Sequence, residues 1–151
     1  MTVKAYRSRY IIAILFAVLL LATSCKKTQE AIQQDILQQY FETNILNRNF
    51  IVQLATDNGT DLTSQYTGYI FTLLKTTNYN GPMVGQKNGV SYTGTWSSNN
   101  DFSKLTISLP ATPVEFVFLN RIWRFTKKAV PVMELAPSGS SAPIVLHMQR
   151  L

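Results

Sequence analysis

One thiol, one imidazole and a thin scatter of carboxylates are the reactive side chains of this 151-residue chain. The thiol belongs to Cys25, the single cysteine, and its surroundings give it a covalent use. Met1–Tyr10 carries Lys4, Arg7 and Arg9 without an acidic residue, Ile11–Leu21 is an unbroken apolar run, and Ala22, Thr23 and Ser24 supply small side chains up to Cys25. Positive, apolar, small and cleavable is the order of a secretory leader. The apolar run of 11 residues is too short for a bilayer core, which takes about 20 in a helix. Cys25 is then either a processing and acylation site or an incidental residue after a plain leader. A lone cysteine at that one position favours the first.

His147 has fewer prospects. Alternation puts Ile144, Leu146 and Met148 on one strand face and His147 on the other, pointing outward. A metal site or a general base there needs carboxylate or thiol partners, and none is close in sequence, so neither a metal nor a cofactor is expected. Asp57 and Asp61 flank Asn58 and Gly59 but lack the ligand density of a calcium loop; they read as turn formers. There is no Gly-rich phosphate cradle, no G-x-S-x-G elbow and no H-E-x-x-H. The expectation is a protein that is not an enzyme, leaving open only constellations assembled from distant positions.

The elements that would hold these residues change period along the chain. Ile32, Ile36, Leu37, Tyr40 and Phe41 recur at helical spacing, which predicts one helix over Thr28–Asn47 whose stripe is core contact. After it the period becomes two. Phe50–Ala55, Tyr66–Lys75, Val90–Trp96, Phe102–Leu109, Arg121–Ala129, Val132–Ala136 and Ile144–Arg150 read as strands. Asn78–Gly89 reads as loop, with Lys87-Asn88-Gly89 a hairpin turn. Val114–Asn120 fits either a short helix or a buried strand. The fold class is therefore mainly β: an antiparallel meander of seven or eight strands, barrel or half-barrel, preceded by one N-terminal helix. Trp96, Leu105, Ile107, Trp123, Leu146 and Met148 supply core. The expected division is 1–24 leader, 25–29 lipidated anchor and short linker, and 30–151 a single domain. Removing the leader takes three of the 14 basic residues and leaves 11 against 8 acidic ones. That modest excess is no argument for nucleic acid.

Two resemblances go further. Leu21-Ala22-Thr23-Ser24-Cys25 resembles the lipobox of a type II signal of bacterial lipoproteins. It implies that the Cys25 thiol takes a diacylglycerol, that the leader is cut before it, and that the new N-terminus is acylated. One acyl chain binds a membrane only marginally, at about 0.8 kcal/mol per buried CH₂, and two or three make the attachment stable. Lys26 and Lys27 would add about 1 kcal/mol each beside anionic head groups. Gly94-Thr95-Trp96, the Asn99–Asp101 turn, Leu105-Thr106-Ile107 and the Trp123 strand resemble small lipocalin-like lipoproteins of the Bacteroidota. The resemblance covers roughly 49–151 and implies a lipocalin-like barrel in the cell envelope. True lipocalins carry their G-x-W on the first barrel strand, and here it is mid-chain. Lys26, where an inner-membrane signal would have Asp, resembles outer-membrane sorting. The missing acidic run after Cys25 points to the periplasmic face.

Two uses of such a barrel stay open. Tyr66, Tyr69, Phe71, Tyr79, Tyr92, Phe116 and Phe118 could line a mouth for a small apolar or amphipathic ligand. Alternatively the same rings fill the interior, and the surface docks an envelope partner. Arg121, Arg124, Lys127 and Lys128 form the one basic cluster, with Arg121, Trp123, Phe125 and Lys127 expected on one strand face. They would either contact an anionic surface or be solvated cations stacked on aromatics. The leader generates the first prediction. The Cys25→Ala protein should remain uncleaved and unacylated by intact mass. Maturation at the same site with retention in the membrane fraction would contradict it.

Overall fold

The computed structural model describes Gln29 and residues 31–151. The leader, Cys25, Lys26, Lys27, Thr28 and Glu30 lie outside the described residues. The chain divides into two compact units, Met1–Ile36 and Leu37–Leu151. In the first, residues 31–36 are helical, and Ile32 and Ile36 are exposed rather than core. The second contains the rest of helix α1 (31–44) and the whole β structure.

Strands β1 (Asn49–Asp57), β3 (Ile70–Leu73), β4 (Asn80–Lys87), β5 (Val90–Ser98), β6 (Lys104–Ser108), β7 (Ile122–Lys127), β8 (Val132–Pro137) and β9 (Ile144–Arg150) pair antiparallel in chain order. Strand β9 returns to β1, from Phe50↔Arg150 to Asp57↔Ile144. An eight-stranded barrel is thereby closed, and closure removes the unpaired edges that an open sheet must protect. The two-residue β2 (Thr60–Asp61) folds back on the end of β1 as one extra strand. The β1–β3 ladder is the short one, with only Asn49↔Thr72 and Phe50↔Phe71.

Inward positions follow the period-two rule, with one correction by the chain itself. A bulge at Gln53 shifts the register between Val52 and Leu54, so Phe50, Val52 and Ala55 are all buried. Such an extra residue changes which face the following side chains take. The six residues expected as core, Trp96, Leu105, Ile107, Trp123, Leu146 and Met148, are each at most 2% exposed. Helix α1 ends at residue 44, short of the expected Asn47, and 45–47 form a turn. Asn47 is left-handed (φ 56°), a conformation asparagine tolerates at a helix end, and its N–H donates to Leu73 O at 2.8 Å. Beyond Ile36, the helical stripe does bury Phe41 and partly bury Leu37.

The structure also differs from the sequence expectation along the β region. Asn78–Gly89 is not loop: most of it is β4. Its glycines read as breakers, yet they mark places where something else occupies the inner face. A Cβ on Gly85 would lie 3.0 Å from the Phe71 ring and 3.3 Å from the Phe116 ring. A Cβ on Gly81 would lie 2.0 Å from Leu74 O. The Asn88-Gly89 turn, with φ of 52° and 78°, stands as expected. Tyr66–Lys75 is a strand only over Ile70–Leu73; Thr63–Tyr66 is a 3₁₀ turn. The Phe102 strand begins later, at Lys104, because Phe102 is turned into the core at φ 53°. On β7, a register shift between Phe125 and Lys127 breaks the alternation expected from Arg121 to Lys127. Val114–Asn120, left open by the sequence, contains a single helical turn, α2 (Phe116–Leu119).

Gly94 has the tightest surroundings. Past its pairing with Thr95, the β6 chain folds inward over Gly94. A Cβ there would sit 2.0 Å from Ser108 O and 2.7 Å from Leu109 Cα. Backbone cannot yield as a flexible side chain can, so Gly94→Ala should cost about 3 kcal/mol or more, measured by denaturant unfolding. A loss under about 1 kcal/mol would show that the β6 chain does not cross there.

Candidate functional site

Where β6 ends, Asn120 clamps the departing chain. Its Oδ1 accepts the Leu109 N–H at 2.6 Å and its Nδ2 donates to Leu109 O at 2.9 Å. A side-chain amide thus takes the place of a neighbouring strand, and the segment between the two residues drops α2 into the barrel end. Phe116 and Leu119 are fully buried and Phe118 nearly so.

Five of the expected ligand-lining rings close around this turn. Phe116 meets Tyr69 at 5.2 Å, Tyr92 at 5.3 Å and Phe71 at 6.0 Å, edge-on in each case. Tyr69 stacks on Phe71 at 5.6 Å. Phe118, the sixth ring, lies 6.3 Å from Tyr66 and 5.6 Å from Trp123. Edge-to-face and offset pairs at these separations each add about 0.5–1.5 kcal/mol beyond area burial. The set fills space rather than enclosing it. Tyr79 is not among them; it stacks on Phe102 at 5.1 Å at the opposite end.

Glu115, which the sequence analysis assigned no role, fastens the turn. Its backbone carbonyl accepts the Tyr66 hydroxyl at 2.6 Å, and its Oε1 accepts the Tyr69 hydroxyl at 2.8 Å. Burial first, then the nearby Glu115 carboxylate, pushes the Tyr69 phenol up to about 12 from an ordinary 10.0 and raises Tyr66 as well. The C-terminal end of α2 is satisfied by Trp123, whose Nε1–H donates to Leu119 O at 2.9 Å.

The other end is closed by α1 and the β5–β6 turn. Phe41 contacts Phe102 at 4.9 Å, Trp96 at 5.8 Å and Phe125 at 6.2 Å. Trp96 Nε1–H donates to Leu74 O at 2.7 Å, the carbonyl that lies over Gly81. The Tyr40 hydroxyl donates to Lys128 O at 2.5 Å, tying helix to β7–β8 connection.

Clefts among the described residues open on the outside. One of about 400 Å³ lies along the short β1–β3 ladder, between Ile51, Val52, Tyr66, Tyr69 and Ile70. One of about 450 Å³ runs over Asn80, Pro82, Thr95 and Trp96. A polar one of about 360 Å³ lies between Thr43, Asn44, Arg48, Arg150 and Leu151.

The basic cluster splits. Arg121 lies over Phe118 and Trp123, at 4.8 and 5.1 Å to the ring centres. Lys128 lies over Phe125 at 5.7 Å, and burial lowers its pKa. Lys127 pairs with Glu134 at 3.2 Å. Arg124 is exposed and sits directly across from Lys104, a partner the sequence analysis did not name. Only strand register could have found it.

His147 lies opposite Glu134 in the β8–β9 ladder, a carboxylate far off in sequence. Among the described residues no group of three or more His, Cys, Asp or Glu side chains could hold a metal ion. Asp57 and Asp61 serve the β1–β2 turn: Asp57 Oδ1 accepts from Asn58 Nδ2 and Asp61 Oδ1 from the Thr63 N–H. No helix among the described residues is long and apolar enough to cross a membrane.

No protein-family model, no curated protein and no solved structure matches the chain. The functional reading therefore rests on the chain's own residues.

The Tyr66–Glu115–Tyr69 arrangement predicts an alkaline limit. Both phenols are held neutral in the folded state, so their contribution is complete below pH 10.0, the ordinary tyrosine pKa, and is lost as pH rises from there through about 12. Tyrosinate absorbance followed beside circular dichroism should show two tyrosines ionising late, together with loss of β signal. Simple titration of every tyrosine near pH 10 with the fold intact would contradict this.

Proposed function

We propose that the chain is a lipid-anchored envelope lipoprotein whose lipocalin-like barrel is an interaction body, not a carrier of small molecules. The observation that carries this reading is the filled interior. Phe71, Phe116, Leu105, Met133 and Leu146 are fully buried, and each barrel end is closed by a helix and its aromatic contacts. A ligand pocket in a barrel mouth needs roughly 300 Å³ or more of continuous apolar space, and the rings that would line it are in contact with one another instead. Support for the anchor comes from the leader that ends at Cys25. A filled body held at a membrane is suited to presenting surface to an envelope partner.

One observation favours a ligand after all: the cleft of about 400 Å³ beside β1, which includes Tyr66 and Tyr69. Native mass spectrometry of protein purified from its own membranes separates the two readings. The interaction reading predicts the mass of the mature chain that starts at Cys25 plus its acylation and nothing more. A retained small molecule of constant mass, lost in a variant that fills the cleft such as Thr67→Trp, would replace it with the ligand reading.

A further inference from the structure

The two ends of the barrel differ in charge. Within Leu37–Leu151, the end closed by α1 carries seven basic side chains, among them Arg48, Lys104, Arg124 and Arg150, against Glu42, Asp101 and Glu134, which leaves +4; the remaining α1 carboxylate, Asp35, belongs to the other unit. The end closed by α2 carries Lys87 and Arg121 against Asp57, Asp61 and Glu115, which leaves −1. Pairing does not cancel the excess. Lys75 pairs with Glu42 and Lys127 with Glu134. The Asp101 carboxylate accepts the Ser103 N–H. Among the described residues, Arg48, Lys104, Arg124 and Arg150 have no carboxylate partner.

Lys104 and Arg124 face each other across β6 and β7 on the outer surface. Like charges directly opposite in a sheet are destabilising unless an anion lies over both. On the same end, the polar cleft of about 360 Å³ is lined by Arg48 and Arg150. Among the described residues Arg48 donates to Thr43 O and Arg150 to Asn44 Oδ1, both neutral acceptors.

We infer that the α1 end of the barrel seats on anionic lipid head groups. The choice of a lipid surface over an acidic protein comes from chain length and rests on the lipoprotein reading. The chain joins the barrel at Leu37, at this same positive end, 12 residues after Cys25. Even fully extended, 12 residues span about 40 Å. A body tethered at Cys25 is therefore always close to a bilayer, and its entry end is the basic one. The attraction acts within about 8 Å at physiological salt, so it sets orientation once the tether has set proximity. The α2 end, with exposed Val114 and Val117, is then turned away from the bilayer.

Lysine footprinting tests this without a variant. The full-length protein is mixed with excess vesicles of phosphatidylcholine, or of phosphatidylcholine with about 30 mol% phosphatidylglycerol, enough to give an anionic surface. Amine acylation is then read by mass spectrometry. Lys104 should react about fivefold more slowly on the anionic vesicles, and the difference should vanish in high salt. Lys87, at the other end, should react equally on both. Equal reactivity of Lys104 on the two vesicles overturns the inference. Protection of Lys104 only in native membranes that retain their proteins overturns it in favour of an acidic protein partner. The intact mass at Cys25, read on the same sample, reports the anchor separately. The Cys25→Ala chain mixed with the same excess vesicles repeats the footprint without acylation, so a failed anchor and a failed surface are distinguishable.

Discussion

The structure depends on filling a small closed barrel without stranding a polar group inside it. Two tryptophans are the largest fully buried side chains, and each brings an indole N–H that must find an acceptor when buried. Trp96 donates to Leu74 O at one end and Trp123 to Leu119 O at the other. Both acceptors are main-chain carbonyls, so at each end the backbone itself must come inward over the barrel rim. Gly81 leaves room for the Leu74 carbonyl, and Gly94 for the chain at Ser108 and Leu109 that leads on to α2. In their places any side chain would meet a carbonyl oxygen at 2.0 Å. The glycines, the inward-folded chain and the buried indoles are therefore one arrangement rather than three.

The ends follow from the same requirement. Once the β6 chain has turned inward at Gly94, the residues after it have to be accommodated in the mouth. Asn120 pairs with Leu109, and α2 drops Phe116, Phe118 and Leu119 into the space that a ligand would need. Glu115 then uses its backbone and its side chain on two different tyrosines. On the outside, Arg48, Lys104, Arg124 and Arg150 lie at one end without a carboxylate partner among the described residues.

Much of the fold was legible in the sequence because period-two alternation is a local signal. Leu105, Ile107, Leu146 and Met148 declared their inner face within a few residues, and Lys87-Asn88-Gly89 declared its turn. Strand β4 was not legible. Gly81, Pro82 and Gly85 look like breakers, and what justifies the two glycines is a carbonyl from Leu74 and rings from Phe71 and Phe116, which only the folded chain brings over them. The Gln53 bulge was equally silent, since a register shift is defined only by the partner strand. At the candidate site six of the seven named aromatic residues pack together and Tyr79 lies elsewhere, and sequence offers no means of telling a lined mouth from a filled one. That distinction lies in ring-to-ring distances. The partnership of Lys104 with Arg124, and of Glu115 with Tyr66 and Tyr69, spans 20 to 49 residues, beyond any local pattern.

The central claim is that both ends of the barrel are sealed, and the two indole N–H protons report on the two ends independently. Their exchange with deuterated solvent, followed by NMR beside that of the strand amides, is the most direct measurement. Both Trp96 and Trp123 indole protons should exchange as slowly as the amides of β5 and β7, released only by unfolding of the whole barrel. Rapid exchange of either indole while the strand amides remain protected would mean that its end of the barrel is open to water, and the account of a filled, sealed interior would be wrong.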